Sequence, residues 1–297
     1  MSGPTRQPPE VGKTLRLGSC PVNDHDAGSG CPILLIHGSG PGVTAWANWR
    51  GVIPALSTRA RVIAPDMLGF GYTSAAPDMK LDLDAWVDQL VGLLDALELD
   101  AVSVVGNSFG GGVALALAAR HPKRVARLVL MGAVGLSFPL TNALNKVWGY
   151  QPSLPAMQEL LRLFVYDHSS LTDDLARMRH AASIRADVQT RFEKLFPEPR
   201  QQGIEMLAQT EATLRGLQQP TLVIHGRNDQ VIPLALSERM AQLIPHADLH
   251  VFNNCGHWVQ IERQRDFVAL VSDFLLNPDL WPDRSSRLTV SAPNPSR

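Results

Sequence analysis

The sequence predicts an α/β fold in which a mostly parallel sheet is flanked by helices and carries an inserted block of helices. Short apolar runs alternate with amphipathic stretches along most of the chain, as is typical of parallel strands that are joined by helices. This alternation stops between about residues 136 and 216, where the pattern is helical and contains several prolines. These two observations together favour one sheet with a helical insertion.

The same patterns predict the individual elements. Residues 14–26 are expected to form an antiparallel hairpin at the edge of the sheet. Apolar runs predict strands at 32–36, 61–65, 101–105, 127–131, 221–224 and 249–252. Helical periodicity predicts helices at 83–97, 111–120, 234–243 and 262–276. Within the insertion it predicts helices at 140–148, 154–164, 173–182 and 188–195.

The organisation that follows is a core interrupted by a lid. Residues 1–135 and 217–276 are expected to form the core domain, and residues 136–216 a helical lid. We expect the lid to cover the carboxyl edge of the sheet, where ligands bind in open parallel sheets. Residues 277–297 are rich in proline, serine and arginine, which predicts a disordered tail, and the first twelve residues are expected to form a loose terminus.

Composition narrows the class of protein. The formal charge is −1, which provides no field for attracting nucleic acid or an acidic membrane surface. No apolar run is long enough to span a membrane, and no secretory signal is visible. The three cysteines lack the spacing of a metal site, so we expect no metal or cofactor and free thiols in a cytoplasmic protein: Cys20, Cys31 and Cys255.

The strongest local motif is a serine between two glycines. Ser108 lies in the sequence Gly-Asn-Ser-Phe-Gly at 106–110, after an apolar run and before a helical one. A serine at a sharp turn from strand to helix is held in strained backbone geometry with its hydroxyl above the sheet. This context predicts that Ser108 is a nucleophile.

A serine nucleophile needs a base and an acid that orients the base, and in this arrangement they follow the serine in the order acid, then base. Asp229 follows the predicted strand at 221–224, and His257 follows the strand at 249–252. Asp229 could instead only bond its own turn, and His257 could be a structural histidine beside Trp258. Three residues in this order at strand ends favour a catalytic triad, whereas Asp66 is interpreted as a turn former.

An oxyanion requires two backbone N–H donors. We expect one from Phe109, the residue after the nucleophile. The other should come from the loop at 37–42, which reads His-Gly-Ser-Gly-Pro-Gly and can approach a ligand closely. Ser39 is the best candidate there, and a merely flexible glycine loop is the alternative. His37 follows a strand but lies on the wrong loop to be the base.

Four segments carry a resemblance to a known family: 37–42, the Ala-Asn-Trp at 47–49, the Gly-Asn-Ser-Phe-Gly-Gly at 106–111 and the Cys-Gly-His-Trp at 255–258. On these segments the chain, from about residue 14 to residue 276, resembles the meta-cleavage product hydrolases of the α/β-hydrolase superfamily. Within that family, residues 62–67, 147–150 and 196–201 are similar to the subgroup that acts on 2-hydroxymuconic semialdehyde.

The resemblance implies hydrolysis of a carbon–carbon bond in a 2-hydroxy-6-oxo-2,4-dienoate, the ring-fission product of a catechol. The products would be a 2-hydroxypenta-2,4-dienoate and a small carboxylic acid, without a cofactor. The bond breaks only after the dienol becomes a ketone, so the site needs a cation near the substrate carboxylate and a proton shuttle, for which His257 is suited. The resemblance also implies a cytoplasmic enzyme that is often a homodimer.

The family's substrate-binding arginine corresponds to Arg179, although Arg177 and Arg185 are close rivals. A guanidinium binds a carboxylate and a neighbouring oxygen through two hydrogen bonds. The resemblance further implies that the substrate pocket is lined by Gly38, Gly40, Asn48, Asn107 and Trp258. Asn107 could instead serve only the turn at Ser108. His180 departs from the family, which usually has tyrosine there, and this puts the lid or the pocket in doubt.

Two other functions use the same residues. A general esterase or lactonase would share the triad, but it would not need Arg179 or the asparagine pair. A small-molecule receptor with this fold would bind a ligand without turnover, which an intact triad disfavours. The substituent at the cleaved end (hydrogen, methyl or phenyl) stays open, and the residues expected to select it are Leu144, Val147, Trp148, Leu161 and Phe164.

Overall fold

The computed structural model describes residues 8–76 and 79–277. In this part of the chain eight strands form one sheet: β1 (Lys13–Leu17), β2 (Cys20–Ala27), β3 (Pro32–Ile36), β4 (Arg61–Pro65), β5 (Val102–Asn107), β6 (Val125–Met131), β7 (Thr221–Gly226) and β8 (Ala247–Phe252). The tail predicted at 277–297 lies outside the described residues except for Asn277, as does most of the predicted loose terminus.

The strand order is β1-β2-β4-β3-β5-β6-β7-β8. The hairpin of β1 and β2 pairs antiparallel with β4, and the pairs from β4 to β8 are all parallel. Parallel strands place their carboxyl ends at one edge. The loops after β3, β5, β7 and β8 therefore meet at that edge.

The core lies on both faces of the sheet. Successive residues of β3 alternate between two apolar clusters, with Ile33 and Leu35 in one and Leu34 and Ile36 in the other. The cluster of Ile33 includes α1 (Ala45–Trp49), α2 (Ile53–Leu56) and α13 (Gln264–Leu276). The cluster of Leu34 includes α3 (Leu83–Ala96), α4 (Phe109–Arg120) and α11 (Leu234–Leu243).

Residues 136–216, here called the helical insertion, follow β6. Its helices are α5 (Asn142–Trp148), α6 (Leu154–Phe164), α7 (Asp173–Ser183), α8 (Val188–Leu195), α9 (Gln201–Leu207) and α10 (Glu211–Arg215). Threonine or serine side chains cap α5, α6, α7 and α10, each accepting a backbone N–H of the first turn. The apolar side chains of the insertion join the Leu34 cluster, so the insertion packs directly onto the core.

The predicted α/β fold is confirmed, and the differences concern single elements. The strands at 32–36 and 61–65 have the predicted bounds. The last predicted helix, 262–276, is confirmed as α13 and begins two residues later than predicted, because the backbone leaves the helix at Arg263 and separates α13 from the preceding α12 (Val259–Glu262). Arg263 donates to the carbonyl oxygens of Asn253 and Asn254 at 2.8 and 3.0 Å. The short helices α1, α2, α9 and α10 are not in the prediction.

Candidate active site

Ser108 lies at the turn from β5 to α4 with φ 55° and ψ −114°, in the region that L-residues rarely adopt. Its flanking glycines are required by space, because a Cβ at Gly106 would lie 2.4 Å from the Gly110 carbonyl oxygen. A Cβ at Gly110 would lie equally close, at 2.4 Å, to the Ile36 carbonyl oxygen. The first glycine of the Gly-x-Ser-x-Gly pattern is therefore required by the tight turn into α4, and the second by the close approach of β3.

The carboxyl end of β6 connects Ser108 to the histidine. The backbone N–H of Ser108 donates to the carbonyl of Met131 at 2.9 Å. The next residue, Gly132, has φ 50°, and a Cβ there would lie 3.2 Å from the His257 ring. Among the described residues the Ser108 hydroxyl has no hydrogen-bond partner.

His257 and Asp229 form a buried pair. His257 Nδ1 donates to Asp229 Oδ2 at 2.7 Å, which leaves Nε2 free to accept a proton. Asp229 Oδ1 also accepts the backbone N–H groups of Val231 and Ile232, at 2.7 and 3.0 Å. Both interpretations of Asp229 thus describe the same side chain, since one oxygen holds its turn and the other orients the histidine.

The electrostatics keep Asp229 ionised. Burial by itself raises the pKa of Asp229, but the charge and the hydrogen bond of His257 outweigh it and lower the net pKa below its ordinary value. A second histidine, His225, lies with Nε2 3.4 Å from Asp229 Oδ2. Burial lowers the pKa of His225, so it is neutral at pH 7 and leaves Asp229 to His257. The sequence patterns did not indicate His225.

The loop after β3 faces Ser108. The Gly38 N–H donates to Asn48 Oδ1 at 3.2 Å and is therefore not free for a substrate. In the part of the chain that the structure describes, the N–H groups of Ser39 and Phe109 have no acceptor. The Ser39 hydroxyl accepts the indole N–H of Trp148 at 2.9 Å, which ties this loop to α5. Ser39 and Phe109 are thus the available donors for an oxyanion.

Two asparagines beside this loop have unpaired polar atoms. Asn107 Nδ2 donates to Asn48 Oδ1 at 2.9 Å. Asn48 Nδ2 and Asn107 Oδ1 are buried without a partner among the described residues. Leaving a buried polar atom unpaired costs about 1–3 kcal/mol, so such atoms at a cavity wall indicate a polar ligand. Asn107 therefore offers the cavity an acceptor in addition to its place beside the turn.

Arg179 on α7 is half-buried, with its guanidinium carbon 5.2 Å above the ring of Trp258. Within residues 8–76 and 79–277 the guanidinium has no hydrogen-bond or ion-pair partner. Burial, and secondarily the charge of Arg50, lower its pKa to about 10, so it stays charged at pH 7. An unpaired cation of this kind is a strong candidate for binding an anionic ligand.

The two rival arginines have other partners. Arg177 is exposed and pairs with Asp173 and Asp174 of its own helix, at 3.7 and 3.9 Å. Arg185 stacks on Tyr72 at 4.0 Å from its ring centre and donates to backbone carbonyls. The geometry therefore favours Arg179 as the arginine that contacts a substrate carboxylate. His180 points elsewhere in the insertion, where its Nδ1 meets the Tyr150 hydroxyl at 3.2 Å.

Two cavities adjoin at these residues. The inner cavity, of about 30 Å³, is lined by the loop after β3, the two asparagines, His257 and apolar side chains of α6. The outer cavity, of about 490 Å³, opens on the other side of α7. Arg179 and Trp258 line both of them. Of the apolar residues expected to select the substrate, Leu161 and Phe164 line the inner cavity, together with Met157 and Leu160, whereas Leu144, Val147 and Trp148 do not.

Glu262 is a further residue that the sequence did not single out. Its carboxylate accepts the backbone N–H groups of Gly256, Tyr166 and Asp167 at 2.7, 2.7 and 3.2 Å. The first of these adjoins His257, and the other two follow α6. Glu262 therefore fixes the histidine loop and the end of α6 to each other. A carboxylate five residues after a candidate histidine carries no sequence signal of this role.

The described residues contain no group of three or more histidine, cysteine, aspartate or glutamate side chains placed to hold a metal ion. None of the described helices has the length and apolar character needed to cross a membrane.

Comparison with known proteins agrees with the geometry. Residues 32–264 match the family model described as alpha/beta hydrolase fold. The chain is 54% identical over 271 residues to a 2-hydroxymuconate semialdehyde hydrolase of Pseudomonas sp. strain CF600, covering 91% of this chain and 96% of the relative. It is 53% identical over 270 residues to a 2-hydroxy-6-oxo-2,4-heptadienoate hydrolase of Pseudomonas putida, covering 91% and 98%.

A solved structure extends the likeness to three dimensions. The meta-cleavage product hydrolase of Pseudomonas fluorescens IP01, solved as a mutant complexed with acetates, superimposes with a TM-score of 0.88 at 52% identity. The match covers 89% of this chain and 97% of that one. The chain belongs to the α/β-hydrolase fold family and, within it, to the meta-cleavage product hydrolases.

Proposed function

We propose that this enzyme hydrolyses the C5–C6 bond of a 2-hydroxy-6-oxo-2,4-dienoate with a hydrogen or methyl substituent at C6. The observation that carries the proposal is Arg179, an unpaired cation at the wall of the cavity that His257 also lines. Ester hydrolysis needs no such cation, whereas a dienoate presents a carboxylate and a neighbouring oxygen that a guanidinium binds together. The names of the relatives support a small substituent.

Binding is assigned to the polar end of the inner cavity. Arg179 takes the carboxylate and the 2-oxygen, with the Trp258 ring beneath its guanidinium. Asn48 Nδ2 and Asn107 Oδ1 provide a donor and an acceptor to the substrate oxygens. The apolar side chains Leu161 and Phe164 face the substituent at C6. Residues 136–216 act as the lid, since α6 and α7 supply these contacts.

The first chemical step converts the dienol into a ketone. The 2-hydroxyl loses its proton while C5 gains one, which leaves a 2,6-dioxo-3-enoate. His257 moves the proton, since its Nε2 is free while Nδ1 is held by Asp229 at 2.7 Å. Arg179 stabilises the negative charge on the 2-oxygen during this transfer.

The second step breaks the carbon–carbon bond. The Ser108 oxygen attacks C6 and gives its proton to His257, and the N–H groups of Ser39 and Phe109 bind the resulting oxyanion. When the C5–C6 bond breaks, its electron pair passes through the conjugated chain to the 2-oxygen. That oxygen takes the proton from His257, so that 2-hydroxypenta-2,4-dienoate is released and His257 is neutral again. Water, activated by His257, then hydrolyses the acyl group from Ser108 and releases the small acid.

A Ser108→Ala variant tests this assignment. We expect it to lose turnover of 2-hydroxymuconic semialdehyde while still binding it, seen as a change in the dienoate absorbance. Wild-type enzyme should have a higher kcat/KM for the hydrogen and methyl substrates than for the phenyl one, and a far lower value for an aryl ester. Normal turnover by Ser108→Ala, or a preference for the ester, would refute the proposal.

Location and assembly belong to the proposal as well. We place the enzyme in the cytoplasm, which is supported by three free cysteines, two of them buried. The homodimer rests on the family resemblance. Light scattering of the purified chain measures the assembly directly, and a monomeric mass would contradict the dimer.

A further inference from the structure

The outer cavity has a strongly positive wall. Its lining includes three arginines, Arg50, Arg179 and Arg185, and one acidic residue, Glu10. The cavity is large enough for a small organic acid, whereas the inner cavity holds little more than one water molecule in the empty enzyme. A ligand of the inner site therefore has a spacious, positively charged cavity beside it.

Arg50 is the least engaged of these cations. It follows α1, the helix that carries Asn48 to the inner cavity, so the same short helix serves both cavities. Its side chain is exposed and has no hydrogen-bond or ion-pair partner in the described part of the chain. Its positive charge disfavours the charged form of Arg179. Arg50 and Arg179 repel each other across the cavity, and the Glu10 carboxylate on the same wall offsets part of that repulsion, so an added anion would be bound by the net positive charge that is left.

Arg179 and Trp258 separate the two cavities. They line both, and the guanidinium lies over the indole ring at 5.2 Å. An anion in the outer cavity can therefore reach one edge of the Arg179 guanidinium before it enters the inner cavity. The planar guanidinium has five N–H donors, enough to bind an anion on either side.

We propose that the outer cavity is an anion-binding antechamber, in which Arg50 holds the carboxylate of the incoming substrate before Arg179 receives it in the inner cavity. This inference rests on the proposed function for the identity of the carboxylate. Arg50 acts there as a binding residue for the encounter complex and takes no part in bond cleavage. Arg50 is therefore expected to affect the rate of substrate capture, which is measured by kcat/KM, and not the rate of bond cleavage.

The test compares Arg50→Gln with Arg177→Gln, measuring kcat and KM for 2-hydroxymuconic semialdehyde at low and high salt. Arg177 is the matched control because it is exposed and lines neither cavity. Arg50→Gln should lower kcat/KM about 3-fold to 10-fold at low salt with kcat unchanged. The difference should fall below about 2-fold at ~0.5 M salt, where the screening length is about 4 Å. Arg50→Lys should restore most of the loss.

Three outcomes overturn the antechamber. Equal effects of Arg50→Gln and Arg177→Gln would leave only the general field of the protein. An effect of Arg50→Gln on kcat/KM that persists at high salt would indicate a structural change. A lowered kcat with a changed inhibition constant for formate would instead assign Arg50 to the departing acid. Failure of the proposed function is distinguishable, because then the wild-type enzyme itself does not turn over the dienoate.

Discussion

Replacement of Arg179 by glutamine tests the central contact of the proposed mechanism. Glutamine keeps a polar side chain of similar reach but removes the charge and the paired donors of the guanidinium. Arg177→Gln is the control on the same helix, since Arg177 is exposed and pairs with Asp173 and Asp174. Both variants keep α7 intact, because glutamine and arginine have similar helix propensities.

The magnitude follows from the two hydrogen bonds. A hydrogen bond to a charged group contributes about 1.5–3 kcal/mol, so loss of the guanidinium pair costs about 3–6 kcal/mol. At about 1.4 kcal/mol per factor of ten, kcat/KM for the dienoate should fall about 10²-fold to 10⁴-fold. The exposed pairs of Arg177 contribute only about 0.3–0.5 kcal/mol each, so its variant should stay within about 2-fold of wild type.

Stability should change in the opposite direction from activity. Burial lowers the pKa of Arg179 from its ordinary value to about 10 in the folded chain, so folding disfavours the charged form. At every pH below about 10 the charged side chain therefore destabilises the empty native state relative to the unfolded chain. Glutamine removes this unfavourable contribution, and the melting temperature of Arg179→Gln should equal or exceed that of the wild type.

Steady-state kinetics and thermal unfolding of the two variants provide the assay. The expected pattern is a large loss of kcat/KM for Arg179→Gln without loss of stability, and little change for Arg177→Gln. Activity of Arg179→Gln within about 3-fold of wild type would show that another group holds the carboxylate. A large activity loss accompanied by a marked fall in melting temperature would assign Arg179 a structural role.

Three further variants have definite expected results. Ser39→Ala should lower kcat/KM only about 2-fold to 5-fold in the same assay, because its backbone N–H remains and only the hydrogen bond from Trp148 is lost. Glu262→Gln should lower both kcat, by about 10-fold, and the melting temperature, because an amide offers fewer acceptors to the backbone N–H groups beside His257. An effect on the melting temperature alone would exclude a positioning role for Glu262. Burial raises the pKa of Asp24 to about 7. Between about pH 4 and pH 7 the folded chain therefore keeps a proton that the unfolded chain has released, and the free energy of unfolding falls as the pH rises through this range. In urea unfolding, Asp24→Asn should therefore stabilise by about 1–3 kcal/mol more at pH 8 than at pH 4, and an equal effect at both would contradict the assignment.

The sheet could be predicted because its signal is local. The buried strand β3 reads as a continuous apolar run, and its alternation between two core clusters is the expected result of strand geometry. The short helices α1 and α10, of five residues each, could not be predicted, because one turn and a half shows no helical periodicity in the sequence. They form because threonine side chains, at 44 and 210, cap them and because the surrounding structure packs against them.

The residues of the candidate site likewise include some that the sequence could predict and some that it could not. Ser108, Asp229 and His257 could be predicted because each follows a strand, and parallel strands end at one edge. Their catalytic roles remain predictions. Glu262 could not be found, because its three backbone partners come from two segments about ninety residues apart. The same holds for Met157, whose place in the inner cavity depends on how α6 docks over the sheet.

The structure shows a relation between the stability of the empty enzyme and ligand binding that no sequence motif indicates. On α7, Arg177 is paired with two aspartates, whereas Arg179, two residues later, faces the cavities without a partner. The unpaired amide atoms of Asn48 and Asn107 lie at the same inner wall. Each of these groups destabilises the empty enzyme, and in the proposed binding mode each gains a partner from the carboxylate and its neighbouring oxygens. Ligand binding should therefore stabilise this fold strongly, because the ligand supplies hydrogen-bond partners that these three side chains lack in the described part of the chain.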